Sequence, residues 1–144
     1  SILIKQLLKI WESSVRETHL FLSDNEIKRI ADYVPLALNN INHLVIVEDD
    51  NYQPVAFMGI EKERLEMLFV APNEMKKGLG KSLIQFGIKN YQLKELTVNE
   101  QNPQAKGFYE HLGFKTFGVV EKAPFHLKQY CMIRELGSEK PNSL

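Results

Sequence analysis

The chain has 144 residues, enough for one domain with a core of its own. Hydrophobic residues make up 44% and charged residues 25%, an ordinary globular balance that argues against a disordered chain or a coiled coil. Lysine plus arginine equals aspartate plus glutamate at 18 each, so bulk charge points to neither nucleic acid nor an anionic membrane as a partner.

The opening SILIKQLLKIW lacks the length and cleavage site of a signal peptide. Over residues 3–14 it places Leu3, Leu7, Leu8, Ile10 and Trp11 near one helical face. A second helix should begin at Ser23, because Ser23 with Glu26 three residues on makes a capping box. Ile27, Ile30, Ala31 and Val34 continue its apolar stripe. HLVIVE then reads as a strand, Asp49, Asp50 and Asn51 as a turn, and PVAFMGI as the returning strand. EKER is a plausible hairpin loop, and LEMLFVAP a third strand ended by Pro72.

A helix follows, carrying Leu79, Leu83, Ile84 and Phe86 to Ile88 and ending near Asn90. ELTVNE is another strand. Pro103 suits the first turn of a short helix, QAKGFYEHL, with Gly113 placed as its cap. Two strands close the chain, around KTFGVVEK and KQYCMIREL. The single cysteine, Cys131, excludes an internal disulfide and makes a reducing compartment the expectation. No apolar run approaches the ~20 residues of a membrane span, so a cytoplasmic protein is expected. None of the four histidines sits at ligand spacing with another or with Cys131, so no metal site is expected. Residues 1–136 read as one domain and 137–144, GSEKPNSL, as a flexible tail. The element order is α/β or α+β with a mixed sheet.

Two stretches carry chemistry. KKGLGKSL, residues 76–83, ends as the nucleotide-binding loop GxxxxGKS ends. That loop needs a glycine five residues before the glycine of GK. Gly80 is the second glycine, so the first falls on Met75, which argues against the reading. The geometry suits a different anion. A strand ends at Pro72 and a helix starts near Gly80, so turn amides and the free amides of the first helical turn form an anion site. Gly78 and Gly80 would let a pyrophosphate approach the backbone, and Lys76, Lys77 and Lys81 add positive charge. A plain glycine turn with solvated lysines explains the same residues. In NPQAKGFYEHLGF, packing of Phe108 on Leu112 with a capping glycine accounts for Phe108, but for neither Asn102 nor Tyr109.

Taken together, the two stretches resemble the GCN5-related N-acetyltransferase (GNAT) superfamily. KKGLGKSL is similar to that family's pyrophosphate loop Q/R-x-x-G-x-G/A. NPQAKGFYEHLGF is similar to the segment that holds the coenzyme A arm. IWESSVRETHLFLS, FMGIEKERLEMLFVAP and TVNEQNPQAKGFY narrow the likeness to small bacterial members. Two features depart from the pattern: the loop's first position is Met75, and the family's opening strand is short or absent before the first helix. Whether the native start precedes Ser1 stays open.

The resemblance implies a mostly antiparallel mixed sheet flanked by helices, with splayed strands forming an acyl-CoA groove. It implies acetyl-CoA as donor, no metal, an amine acceptor, and a monomer or weak homodimer. The donor would be held by Leu68, Phe69, Val70, Met75, Lys76, Lys77, Gly78, Leu79, Gly80, Lys81, Ser82, Asn102, Ala105 and Phe108. An amide around Phe69 or Val70 would serve as the oxyanion donor, and Tyr109 as the acid for the departing thiolate. Trp11, Thr18, His19, Phe21 and Phe57 would shape the acceptor pocket. His19 could also relay a proton or simply pack in the core. Glu66 interrupts an apolar strand, where an unpaired carboxylate is costly. It is either a base facing a wet cleft or a structural carboxylate, held by a hydrogen bond or a salt bridge with Arg64; Glu63 is a weaker base candidate. Tyr33, His126 and Tyr130 have no assigned role. The alternatives are a catalytically idle acyl-CoA-binding or interaction module on the same fold, and a P-loop nucleotidase.

Overall fold

The computed structural model describes residues 1–122 and 127–135. His126 and the tail expected over 137–144 lie outside the described residues. Three helices come first: α1 (Ile2–Thr18), α2 (Asp24–Ala31) and α3 (Val34–Asn40). The expected capping box is present at α2: the Ser23 amide donates to Glu26 Oε1 at 2.8 Å, and the Glu26 amide to Ser23 Oγ at 3.1 Å. The apolar stripe does not run on through Val34 in one helix. Pro35 lies in the first turn of α3; inside a continuing helix its ring would clash with the carbonyl of Ala31, the last residue of α2.

The strands are β1 (His43–Glu48), β2 (Pro54–Glu61), β3 (Arg64–Val70), β4 (Glu95–Asn99), β5 (Lys115–Lys122) and β6 (Leu127–Ile133). Helix α4 (Leu79–Tyr91) follows β3, and α5 (Pro103–His111) follows β4. The hairpin between β2 and β3 is tighter than EKER suggested. Only Lys62 and Glu63 separate the strands, and Lys62 takes the left-handed φ of 56° that such short turns demand.

The six strands form one sheet in the order β1-β2-β3-β4-β6-β5, antiparallel except at β3–β4. Helices cover both faces, because the strands alternate. On β2, Ala56, Met58 and Ile60 pack with Leu83 and Ile84 of α4. Phe57 packs the other way, with Leu7, Trp11 and Val15 of α1 and Ile27 of α2.

Two features of β3 position the site. The parallel ladder to β4 holds at one pair, Arg64 opposite Glu95, after which the strands part. The ladder to β2 pairs Ile60 with Leu65 and Gly59 with Met67, leaving Glu66 as the extra residue of a β-bulge. A bulge re-aims a side chain locally. That is why a carboxylate fits within LEMLFV: Leu65 goes to the α4–α5 core, Met67 and Phe69 to the α1–α3 core, and Glu66 stays exposed.

Candidate active site

The parting of β3 and β4 opens a cleft of about 590 Å³. One wall is β3, from Arg64 to Val70; the other is β4 with the start of α5. Trp11, Thr18, His19 and Phe21 reach it from α1 and the loop after it. Met75 and Gly80 of the glycine loop and Asn102, Ala105, Phe108 and Tyr109 of the α5 segment also line it. The cleft thus brings together two sequence stretches that reading along the chain could only suspect of meeting.

The direction of the β3 amides follows from one bond. The Ala71 amide donates to the Val55 carbonyl of the β2 side at 2.9 Å. Backbone groups alternate along a strand, so the Phe69 N–H also turns to β2. Those of Leu68 and Val70 face the side from which β4 has departed. Of the two amides first expected as oxyanion donor, the geometry favours Val70 over Phe69.

At the glycine loop, Lys76 (φ 72°) and Gly78 (φ 79°) both take left-handed conformations around Lys77. Such alternation gathers successive amides into an anion-binding concavity. Gly78 caps α4 without a side-chain bond, and the first turn holds no acidic residue. The Ser82 amide reaches the Gly78 carbonyl at 3.0 Å, which leaves the amides of Leu79, Gly80 and Lys81 ahead of the helical ladder. These residues fit a pyrophosphate. Lys77 is ion-paired with Glu74 and the Leu79 side chain packs toward the core, so their part falls to backbone amides. Lys76, Lys81 and Ser82 are exposed.

Asn102 proves to have a structural role that the sequence did not reveal. It caps α5, its Oδ1 accepting from the Ala105 amide at 3.2 Å. Its side-chain NH2 remains available as a donor. Tyr109 is buried at the cleft wall, edge-on to Phe108 at 5.1 Å and to Phe114 at 6.0 Å between ring centroids. Burial pushes its phenol above the ordinary tyrosine range, so it keeps its proton at neutral pH.

Glu66 Oε2 lies 2.8 Å from Arg64 Nε. Arg64 also approaches Glu95 at 3.7 Å and donates to Thr97 Oγ1 at 3.4 Å, an oxygen that accepts from Lys122 Nζ at 3.3 Å as well. Arg64, Thr97 and Lys122 all line the cleft, and none was singled out as a site residue from sequence. They meet across β3, β4 and β5, so no local motif marks them. Phe57 is a correction. It is fully buried, its ring tilted against Phe69 at 5.6 Å between centroids, supporting the wall from within rather than contacting an acceptor.

The His19 ring lies beside Phe21 at 5.4 Å, and its Nδ1 is 2.8 Å from Thr18 Oγ1. Burial lowers its pKa below the usual histidine value. The unfolded chain therefore binds this proton more tightly than the folded one. Acidification through about pH 6.5 should lower stability. Melting curves of wild type and His19→Gln across that range should show the variant losing less stability on the acid side; parallel losses would contradict this.

The Acetyltransferase (GNAT) domain family matches residues 12–126. The chain belongs to this family. It is 36% identical over 121 residues to the peptidyl-lysine N-acetyltransferase YjaB of Salmonella typhimurium, covering 81% of this chain and 80% of that one. It is 31% identical over 113 residues to the peptidyl-lysine N-acetyltransferase YiaC of Escherichia coli, covering 75% and 74%. The solution structure of apo-form YjaB from Escherichia coli superimposes with a TM-score of 0.81 at 30% identity, over 90% of this chain and 89% of that one. The mixed sheet flanked by helices is the family's fold, and the chain is an N-acetyltransferase that moves an acetyl group to an amine. The family's donor is acetyl-CoA. No helix among the described residues is long and apolar enough to cross a membrane.

Proposed function

We propose that this protein acetylates the side-chain amine of lysine in peptides or proteins, by direct attack of the amine on acetyl-CoA bound between β3 and β4. The observation that carries this is the single-pair ladder at Arg64 and Glu95. It leaves outward-facing amides on β3 beside a cleft that opens both to the glycine loop and to the α1–α2 loop. The YjaB and YiaC relatives, named for peptidyl-lysine acetylation, support the lysine acceptor over other amines.

Each demand of the reaction falls to a residue. Amides of residues 76–81 bind the pyrophosphate, and Asn102, Ala105 and Phe108 border the pantetheine arm. The Val70 amide stabilises the oxyanion as the carbonyl is attacked. Tyr109 protonates the departing sulfur. The C–N bond forms as the C–S bond breaks, and the amine must shed a proton, since an alkylammonium of pKa ~10 is no nucleophile. Glu66 is proposed to receive that proton through water. It lies four positions before Val70, roughly 13 Å at strand rise, too far for direct transfer.

Glu66→Gln should therefore lower turnover at neutral pH and recover part of it at high pH, where free amine is abundant. A pH–rate profile of the same shape as wild type, with a lowered melting temperature, would assign Glu66 a structural role. The side chains of Arg64 and Glu66 are 30% and 36% exposed, so breaking their ion pair should cost little stability. Lysine peptides, polyamines and free amino acids, compared as acceptors by release of the CoA thiol, test the acceptor class. Lysine peptides should give the highest kcat/KM; a preference for polyamines would overturn the peptide reading.

A further inference from the structure

We propose that His19 Nε2 accepts a hydrogen bond from the acceptor amine and aims its lone pair at the acetyl carbon, with Thr18 as the positioning residue that keeps Nε2 free of hydrogen. This rests on the acetyltransferase reading above.

The argument begins with one hydrogen. The Thr18 hydroxyl lies 2.8 Å from the Ser14 carbonyl oxygen and 2.8 Å from His19 Nδ1. The carbonyl can only accept, so the hydroxyl hydrogen points to it. Thr18 Oγ1 must then accept from an Nδ1–H. The opposite assignment would leave two oxygens 2.8 Å apart with no hydrogen between them. Neutral His19 thus carries its hydrogen on Nδ1, and Nε2 presents a bare lone pair.

That lone pair is accessible. Nε2 has no partner among the described residues, while no buried side-chain nitrogen or oxygen there lacks one, so Nε2 is not sealed in the interior. His19 lines the same cleft as β3. Its backbone is pinned on both sides: the His19 amide donates to Val15 at 2.8 Å, and the Leu22 amide donates to the His19 carbonyl at 3.0 Å. A fixed tautomer on a fixed backbone is wasted on a packing residue but suits recognition of a nitrogen donor.

The ring must stay neutral to act as acceptor. The charged groups sharing the cleft are Arg64 and Glu66 on β3 and Lys122 on β5; Tyr109 on α5 also titrates there. On α2, Asp24 is held by Arg16 and Lys28. Burial lowers the histidine pKa from its ordinary value, so His19 stays neutral at pH 7. In acid it becomes a double donor and repels an ammonium.

The test compares wild type, His19→Phe, His19→Gln and Thr18→Val for acceptor KM with a lysine peptide from pH 5.5 to 8, alongside acetyl-CoA affinity. His19→Phe should raise the peptide KM about tenfold or more and leave acetyl-CoA affinity unchanged. His19→Gln, which keeps an acceptor oxygen, should recover part of the loss. Wild-type KM should climb in acid more steeply than the phenylalanine variant's, the excess following protonation of His19 on top of the loss of free amine common to both. A long-range 1H–15N NMR spectrum of wild type should show hydrogen on Nδ1, and Thr18→Val should mix the tautomers. An unmoved peptide KM in His19→Phe, or a hydrogen on Nε2 in wild type, overturns the proposal. Wild type that binds acetyl-CoA yet acetylates no amine would instead overturn the acetyltransferase reading beneath it.

Discussion

Replacing Tyr109 by Phe is expected to leave acetyl-CoA bound and to cut turnover roughly ten- to a thousandfold, the usual worth of general-acid help. The substitution deletes one oxygen and nothing else. The ring keeps its edge-on contacts with Phe108 and Phe114, so the wall of the cleft should stand. What is lost is a proton held ready. Burial raises the phenol's pKa, which makes Tyr109 a poor base and a group that enters the reaction protonated. The departing thiolate would then have to take its proton from water. The measurement is kcat together with acetyl-CoA affinity in a variant whose melting temperature matches wild type. Unchanged turnover would remove Tyr109 from the chemistry.

The second large effect is expected at the glycine loop. Gly80→Val should weaken acetyl-CoA binding tenfold or more, the size expected from disturbing one or two hydrogen bonds to a charged phosphate. Two causes act together. A Cβ at Gly80 would already lie 3.4 Å from Phe108 Cζ, so the valine methyls would crowd that ring. The same methyls would stand over the open amides of the first turn of α4. Gly78→Ala separates the causes. Nothing lies within 4 Å of a Cβ there, but φ of 79° disfavours one. Its loss of affinity should therefore report the shape of the turn alone. Equilibrium titration with acetyl-CoA reads both variants; wild-type affinity in Gly80→Val would mean the pyrophosphate binds elsewhere.

Local signals in the sequence were legible where one element holds its own explanation. Ser23 and Glu26 announced α2, Gly113 closed α5, and the glycines at 78 and 80 marked the turn into α4. Features set between elements were not legible. The bulge that turns Glu66 outward exists because β2 and β3 differ by one residue in register, and that difference has no trace in LEMLFV. PVAFMGI is apolar throughout, so nothing in it told that Phe57 faces the α1–α3 core while its neighbours face the other. Asn102 was read as a ligand contact from the family resemblance, which overrode a local signal, since asparagine directly before a first-turn proline is also a common helix cap. Arg64, Thr97 and Lys122 come from three strands and needed the sheet order to be seen together. The splay of β3 and β4 is likewise a property of their ladder.

The central claim is that acetyl-CoA lies between β3 and β4 and delivers its acetyl group there to lysine. Backbone-amide NMR of the protein titrated with acetyl-CoA, with a lysine peptide then added to the same sample and the freed thiol counted, tests it most directly. The account predicts that the strongest shifts fall on the amides of residues 76–82 and of Leu68 and Val70. It also predicts one acetylated lysine for each thiol released. Shifts confined to other surfaces, or these same shifts with no thiol released on adding any lysine peptide, would contradict it.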